Sequence, residues 1–259
     1  MDVQRGKLVR KGRNGARHRV LRRRYIAALY DPFDVRRSRR RRSRLGRVPA
    51  DTIAKVDPRR LRVTKQIKVG HKPWDVAYGF GSVWSSDSGA GTVSRINPRT
   101  LKVVKRIQTA ATLTSIRAGA GAIWVGSQYG DDVYRINPAT NAVAVIHVGR
   151  GGEVCVDPHD DGVWVSDNNA RSVTRLDATT GVIVATTKVG TSPSDGVRGP
   201  DGLKWIRNDG EGTFWRIDAA TNAVVDTISV GPHQFVVRSA FGDIWVGEFQ
   251  GHRIWRIHP

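Results

Sequence analysis

The chain has 259 residues, a formal net charge of +20, 39% apolar side chains, eight tryptophans and one cysteine. The lone cysteine, Cys155, excludes an internal disulfide framework, and no run approaches the roughly 18 consecutive apolar residues of a membrane-spanning helix. The charge is uneven: residues 1–50 carry 18 Arg and Lys against 3 Asp, which is +15 of the total and leaves +5 for residues 51–259.

Residues 1–50 read as a basic, Arg-rich leader. Only Tyr25-Ile-Ala-Ala-Leu-Tyr30 follows its cationic start before Asp31 and Pro32, shorter than the roughly 7–15 apolar residues of a secretory signal. That makes the cytoplasm the default compartment. The block Arg36–Arg47 (RRSRRRRSRLGR) combines mutual repulsion with little to bury, so it is predicted to be a disordered, solvated tail. An alternative is a polyanion contact through residues 36–47, to nucleic acid or an anionic membrane, driven by counterion release. No aromatic residue interleaves with this block, so base stacking is not implied. A third reading is an arbitrary leader set by the choice of start site.

From residue 51 the chain repeats every 40 residues or so, and this periodicity decides the fold. VSRINP begins at Val93, VYRINP at Val133, VTRLDA at Val173, FWRIDA at Phe214 and IWRIHP at Ile254, with IAKVDP at Ile53 one step upstream. Trp84, Trp124, Trp164, Trp205 and Trp245 recur in one register. A Val-Gly or its variant recurs at Gly70, Ala110, Gly149, Gly190 and Gly231.

Each unit reads as four short strands. In the first complete one these are Trp74–Tyr78, Val83–Ser85, Val93–Ile96 and Val103–Ile107, separated by Gly, Asn, Asp and Pro turns. Four strands per unit of this length is the blade of an all-β β-propeller. A single blade cannot bury both of its faces, so the in-register tryptophans are expected at the contacts between blades. Inner strands are expected from Pro73, Leu113, Gly152, Pro193 and Gln234, giving about five four-stranded blades over residues 51–259. The last repeat stops after its third strand, and Leu61–Val69 is predicted to supply the fourth and close the last blade. The rival is an incomplete six- or seven-bladed ring, which the surplus strand at Ile53 favours.

Ligands of such folds gather on loops at one mouth of the channel. Loops before the inner strands offer His71, Lys72, Trp74, Arg150, Glu153, Ser194, Asp195, His233 and Gln234. Loops after the second strands offer Asp87, Gln128, Tyr129, Asp167, Asn168, Asp209, Glu211, Glu248 and His252. Asp157-Pro-His-Asp160-Asp161-Gly162 is acidic enough for Ca²⁺ but fits a plain turn better. Arg95, Arg135, Arg175, Arg216 and Arg256 share one repeat position, which argues for packing or ion pairing in every blade. Cys155 reads as a small apolar strand residue. No phosphate loop, zinc spacing or nucleophile elbow is present.

The pattern Ala122-Ile-Trp-Val125, Val133-Tyr-Arg-Ile-Asn-Pro138, Thr140-Asn141 and Val148-Gly149 resembles the YVTN-type β-propeller repeat, and the resemblance extends over residues 53–259. Similar propellers occur as exported or surface binding proteins, as sensor domains and in streptogramin B lyases. The last repeat, with Gly231-Pro-His-Gln234 and Ile244-Trp-Val-Gly-Glu248, is similar to a lyase blade. That resemblance implies His233 as general base, Glu248 as acid or metal ligand, and Mg²⁺ as cofactor in a carbon–oxygen elimination. The other repeats carry WSSD, WVGS, WVSD and WIRN at the corresponding places. The reading preferred from sequence is therefore a non-catalytic scaffold for a protein or small-molecule ligand, with the lyase and the polyanion-binding leader as alternatives.

Overall fold

The computed structural model describes residues 25–27, 50–57, 60, 62–109, 112–149, 154–231, 234–248 and 254–259. These residues form strands and turns, and among them no helix is long and apolar enough to cross a membrane. Six antiparallel sheets follow one another along the chain. The first holds β1 (Tyr25–Ala27), β2 (Thr52–Asp57) and β3 (Arg62–Lys68). The second holds β4 (Pro73–Gly79), β5 (Ser82–Asp87), β6 (Thr92–Asn97) and β7 (Lys102–Gln108). The third holds β8 (Leu113–Gly119), β9 (Ala122–Ser127), β10 (Asp132–Ile136) and β11 (Val143–His147). The fourth holds β12 (Val154–His159), β13 (Gly162–Asp167), β14 (Ser172–Leu176) and β15 (Ile183–Lys188). The fifth holds β16 (Pro193–Arg198), β17 (Lys204–Asn208), β18 (Thr213–Ile217) and β19 (Val224–Ser229). The sixth holds β20 (Gln234–Ala240), β21 (Asp243–Glu248) and β22 (Ile254–Ile257).

Strand order within each sheet follows the chain, and the inner strands β4, β8, β12, β16 and β20 lie side by side in series. The fold is a β-propeller. Five sheets carry an inner strand and four of them have four strands, as the repeat predicts. The predicted closure does not form. The segment expected to complete the last blade is β3, which pairs with β2, while β22 pairs only with β21 among the described residues. The reason is local. IAKVDP is itself a third strand, and a short hairpin to its own fourth strand closes a far smaller loop than a pairing across the whole chain. A bulge at Lys55/Val56 repeats those at Arg95/Ile96, Arg175/Leu176 and Arg216/Ile217, so the first hairpin has the register of a blade's outer half.

Each junction between sheets joins two faces of fixed composition. The trailing face presents the repeated Trp and the first residue of the third strand. The leading face of the next sheet presents inner-strand residues and the fourth residue of its third strand. Trp124 and Val133 thus meet Val154, Val156, Val163, Val165 and Leu176. Trp84, Trp124 and Trp205 are completely buried and Trp164 nearly so. Their ring N–H groups are satisfied within the blade, as in Trp84 Nε1 to Gly79 O and Trp124 Nε1 to Gly119 O, both 3.1 Å.

The repeated Arg completes the arrangement. Arg95, Arg135, Arg175, Arg216 and Arg256 each stand over their own blade's Trp at 4.8–5.7 Å, a contact worth about 0.5–2 kcal/mol. Arg95 Nη1 reaches Asn141 Oδ1 of the next sheet at 2.9 Å, and Arg175 reaches Ala219 O of its next sheet. The Asn/Asp-Pro/Ala-x-Thr signature also has a local cause. Asn97, Asn137 and Asp177 accept the N–H groups two and three residues on, which folds the turn between third and fourth strands. The turn then needs the left-handed region, met by Leu101, Asn141, Gly181 and Asn222 at φ 58°, 64°, 77° and 58°.

Candidate functional site

The five inner strands enclose a cavity of about 350 Å³ lined by residues of β4, β8, β12, β16 and β20. Its wall is charged. Asp75, Arg117, Asp157, Asp195 and Arg238 come from five successive sheets. Bulges at Pro73/Asp75 and Pro193/Gly196 set two of these carboxylates. In both, the Asp carboxylate accepts the next residue's N–H: Val76 N to Asp75 Oδ1 at 2.8 Å and Gly196 N to Asp195 Oδ1 at 3.1 Å.

Ion pairs link four of the five strands. Arg117 Nη1 pairs with Asp75, and its Nη2 lies 3.5 Å from Asp195 Oδ1. The second contact spans from the third sheet to the fifth across the channel. Arg238 Nη1 meets Asp195 Oδ2 at 2.8 Å. Burial opposes the Arg117 charge, but Asp75 and Asp195 outweigh it and hold the guanidinium above its ordinary range. On β12, Asp157 takes the Lys204 ammonium of the fifth sheet and lies 2.8 Å from His159 Nε2. Burial pushes the Asp157 carboxyl up, yet Lys204 and His159 prevail and hold it well below the usual carboxylate range. The Asp157–Gly162 segment is therefore only partly a turn: the strand runs on through His159, which pairs with Gly162. Cys155, on the same strand, is half-buried.

Of the residues singled out in sequence, Asp195 lines this cavity. His71 Nδ1 lies 2.9 Å from Asp51 Oδ1, and the neighbouring Lys72 N–H bonds the same oxygen, so this loop is tied to the first sheet. Trp74, at the start of β4, and His71 are not among the cavity-lining residues. Gln234 is buried and donates to Gly231 O. Glu248 accepts the Trp255 Nε1–H. Arg150, Glu153, His233, His252 and the block Arg36–Arg47 lie outside the described residues.

The carboxylates at the ends of the second strands serve the backbone. Asp87 accepts from Gly70 N at 2.9 Å and from the Ser85 and Ser94 hydroxyls. Burial raises its pKa, and these donors oppose the rise. Asp167 caps Ala170 N, and Glu211 caps Thr191 N. The Val-Gly repeat follows from this contact. A Cβ at Gly70, Gly149 or Gly190 would fall 2.6, 1.8 or 2.3 Å from an atom of Asp87, Asp167 or Glu211.

Sequence reasoning passed over Asp75, Arg117, Asp157 and Arg238. A signal existed. Pro73-Trp-Asp75 and Pro193-Ser-Asp195 are the same motif three repeats apart, and Arg117, Asp157 and Arg238 each stand seven residues before the repeated Trp.

The Mg²⁺ implied by the lyase resemblance does not fit the described residues. Each channel carboxylate already faces Arg117, Lys204 or Arg238, and Glu248 is taken by Trp255. Among the described residues no group of three His, Cys, Asp or Glu side chains could hold a metal.

These features define a β-propeller with a charged central channel. No family model matches the chain, and no curated protein matches it in sequence. Among solved structures, a virginiamycin B lyase from Staphylococcus aureus is similar with TM-score 0.70 and 14% identity, over 83% of this chain and 75% of that one. A streptogramin B lyase gives TM-score 0.70 and 14% identity, over 81% and 72% of the two chains. The WD40 β-propeller domain of Doa1 gives 0.66 and 15%, over 80% and 71%. At such identities the likeness establishes the fold alone.

Proposed function

We propose that this chain is a non-catalytic binding scaffold whose central channel takes a small anionic ligand, a carboxylate or phosphate, through Arg238. The observation that carries this reading is the unequal use of the two channel guanidiniums. Arg117 is only 23% exposed and is held between Asp75 and Asp195. Arg238 is 56% exposed, uses Nη1 for Asp195 and Val237 O, and has no acceptor at Nε or Nη2 among the described residues. An open guanidinium edge suits the two oxygens of a carboxylate or phosphate. Tyr78, 69% exposed on the same wall, offers an apolar face beside it.

Elimination chemistry through His233 and Glu248 has less support, since Glu248 is engaged by Trp255 and the charged wall leaves no open carboxylate pair for Mg²⁺. A thermal-shift screen with small carboxylates, inorganic phosphate, Mg²⁺ and uncharged analogues tests the proposal. Anions are expected to raise the melting temperature, by the equivalent of about 2.7 kcal/mol at a hundredfold excess over Kd. Arg238→Gln should abolish that rise and leave the fold intact. A response to Mg²⁺ but not to anions would overturn it.

A further inference from the structure

We propose that the outer flank of the sixth sheet binds the first sheet of a second copy of this chain, head to tail. The argument compares equivalent positions. The first residue of each third strand lies on the trailing face. Val93, Val133 and Phe214 are completely buried there and Val173 is 1% exposed, whereas Ile254 at the same position is 72% exposed. The repeated Trp behaves alike: Trp84, Trp124, Trp164 and Trp205 are buried and Trp245 is only half-buried. Four junction clusters cover the trailing faces of the second to fifth sheets, a fifth joins the first sheet to the second, and none joins the sixth sheet to the first among the described residues.

The opposite end is deficient in the complementary way. The fourth residue of each third strand faces the preceding sheet. Ile96, Ile136, Leu176 and Ile217 are completely buried, while Val56 on β2 is half-buried. The molecule therefore presents one unused trailing face, Trp245 and Ile254, and one unused leading face around Val56. Every junction inside the chain is built from this pair of faces, so the partner best fitted to each is the other, supplied by a second copy. The edge of β22 adds to this, because β2, β6, β10, β14 and β18 each carry an outer partner strand and β22 carries none among the described residues. Two different faces meeting make a heterologous contact, which extends or closes into a ring.

The test is sedimentation velocity and light scattering on the full chain over a wide concentration range. The expected result is a mass that rises above the 28.6 kDa of one chain as concentration increases. Ile254→Arg, at an exposed position, and Val56→Arg should each weaken self-association by roughly tenfold or more, the scale of losing an apolar anchor. Mixing the two variants should restore a dimer, because each retains the face that the other has lost. Circular dichroism checks that both variants fold, and Trp245→Arg serves as a second lesion on the trailing face. A wild-type chain monomeric at every concentration would overturn the proposal, whether the flank is closed within one ring or covered by residues 1–50. Variants that associate as well as the wild type, or a mixture that stays monomeric, would also overturn it.

Discussion

Trp124→Ala is expected to lower stability by about 3–5 kcal/mol, the range for removing a large buried aromatic side chain from a core. For a domain of this size that corresponds to a fall of roughly 6–20 °C in the melting temperature. Trp124 has no exposed surface and lies against Val154, Val156, Val163, Val165 and Leu176 of the next sheet. Its loss also frees Arg135, which stands 5.7 Å over the ring, and Gly119 O, which accepts its N–H. The cavity has little means of collapse. Gly126 beside it already brings β9 so close to the next inner strand that a Cβ would sit 1.9 Å from Val154 O. Trp245→Ala, measured at concentrations where the chain is monomeric, should cost far less, because that ring is only half-buried. Urea titration of both variants checks the contrast. Equal losses would mean that tryptophan burial at a junction is not what joins the sheets.

The blades are legible in sequence because three markers with one period each have a local physical cause. Tryptophan fills a junction, Val-Gly leaves room for Asp87 or its counterpart, and Asn-Pro-x-Thr forms a capped turn. How the sheets at the two ends are arranged is not legible in the same way. A 40-residue period specifies how one sheet meets the next and is silent on what the first and last sheets meet. Leu61–Val69 could in principle serve either end, and the short hairpin with Thr52–Asp57 decides it.

The channel was harder to read for a different reason. Loop polarity is a poor guide where the backbone itself consumes the side chains: Asp87, Asp167 and Glu211 all accept main-chain N–H groups. The charges of the channel wall instead sit within strands, where alternation suggests a buried apolar surface. Asp157 looked like part of a turn because Pro158 and Gly162 flank it. Pairing with Trp164 nevertheless continues the strand through it and aims it inward. Charge on an inner strand, Asp75 and Asp195 after proline or Arg117 and Arg238 before the second strand, is the feature that distinguishes channel from core.

Asp157→Asn carries the second large effect. Lys204 is 3% exposed and its ammonium pairs with Asp157 from the neighbouring sheet. Removing the carboxylate charge leaves that ammonium buried without its partner, a change that typically costs about 3–5 kcal/mol. The pH dependence gives the sign. Burial pushes the Asp157 carboxyl up, but Lys204 and His159 pull it further down, so its folded pKa lies below its unfolded value. Such a group stabilises the fold fully above its unfolded pKa of about 3.9 and loses that contribution as pH falls through the folded value. The gap between wild type and Asp157→Asn should therefore be widest near neutrality and narrow only in strong acid. Lys204→Met alone should also destabilise, leaving Asp157 buried with its charge uncompensated. The double variant Asp157→Asn/Lys204→Met should recover much of the loss, since an apolar replacement of both partners avoids any unpaired buried charge. Urea midpoints of the four proteins at neutral and acid pH close this cycle. Additive single losses in the double variant would show that the two side chains are not coupled, and that the fourth and fifth sheets are held at this point by apolar contact alone.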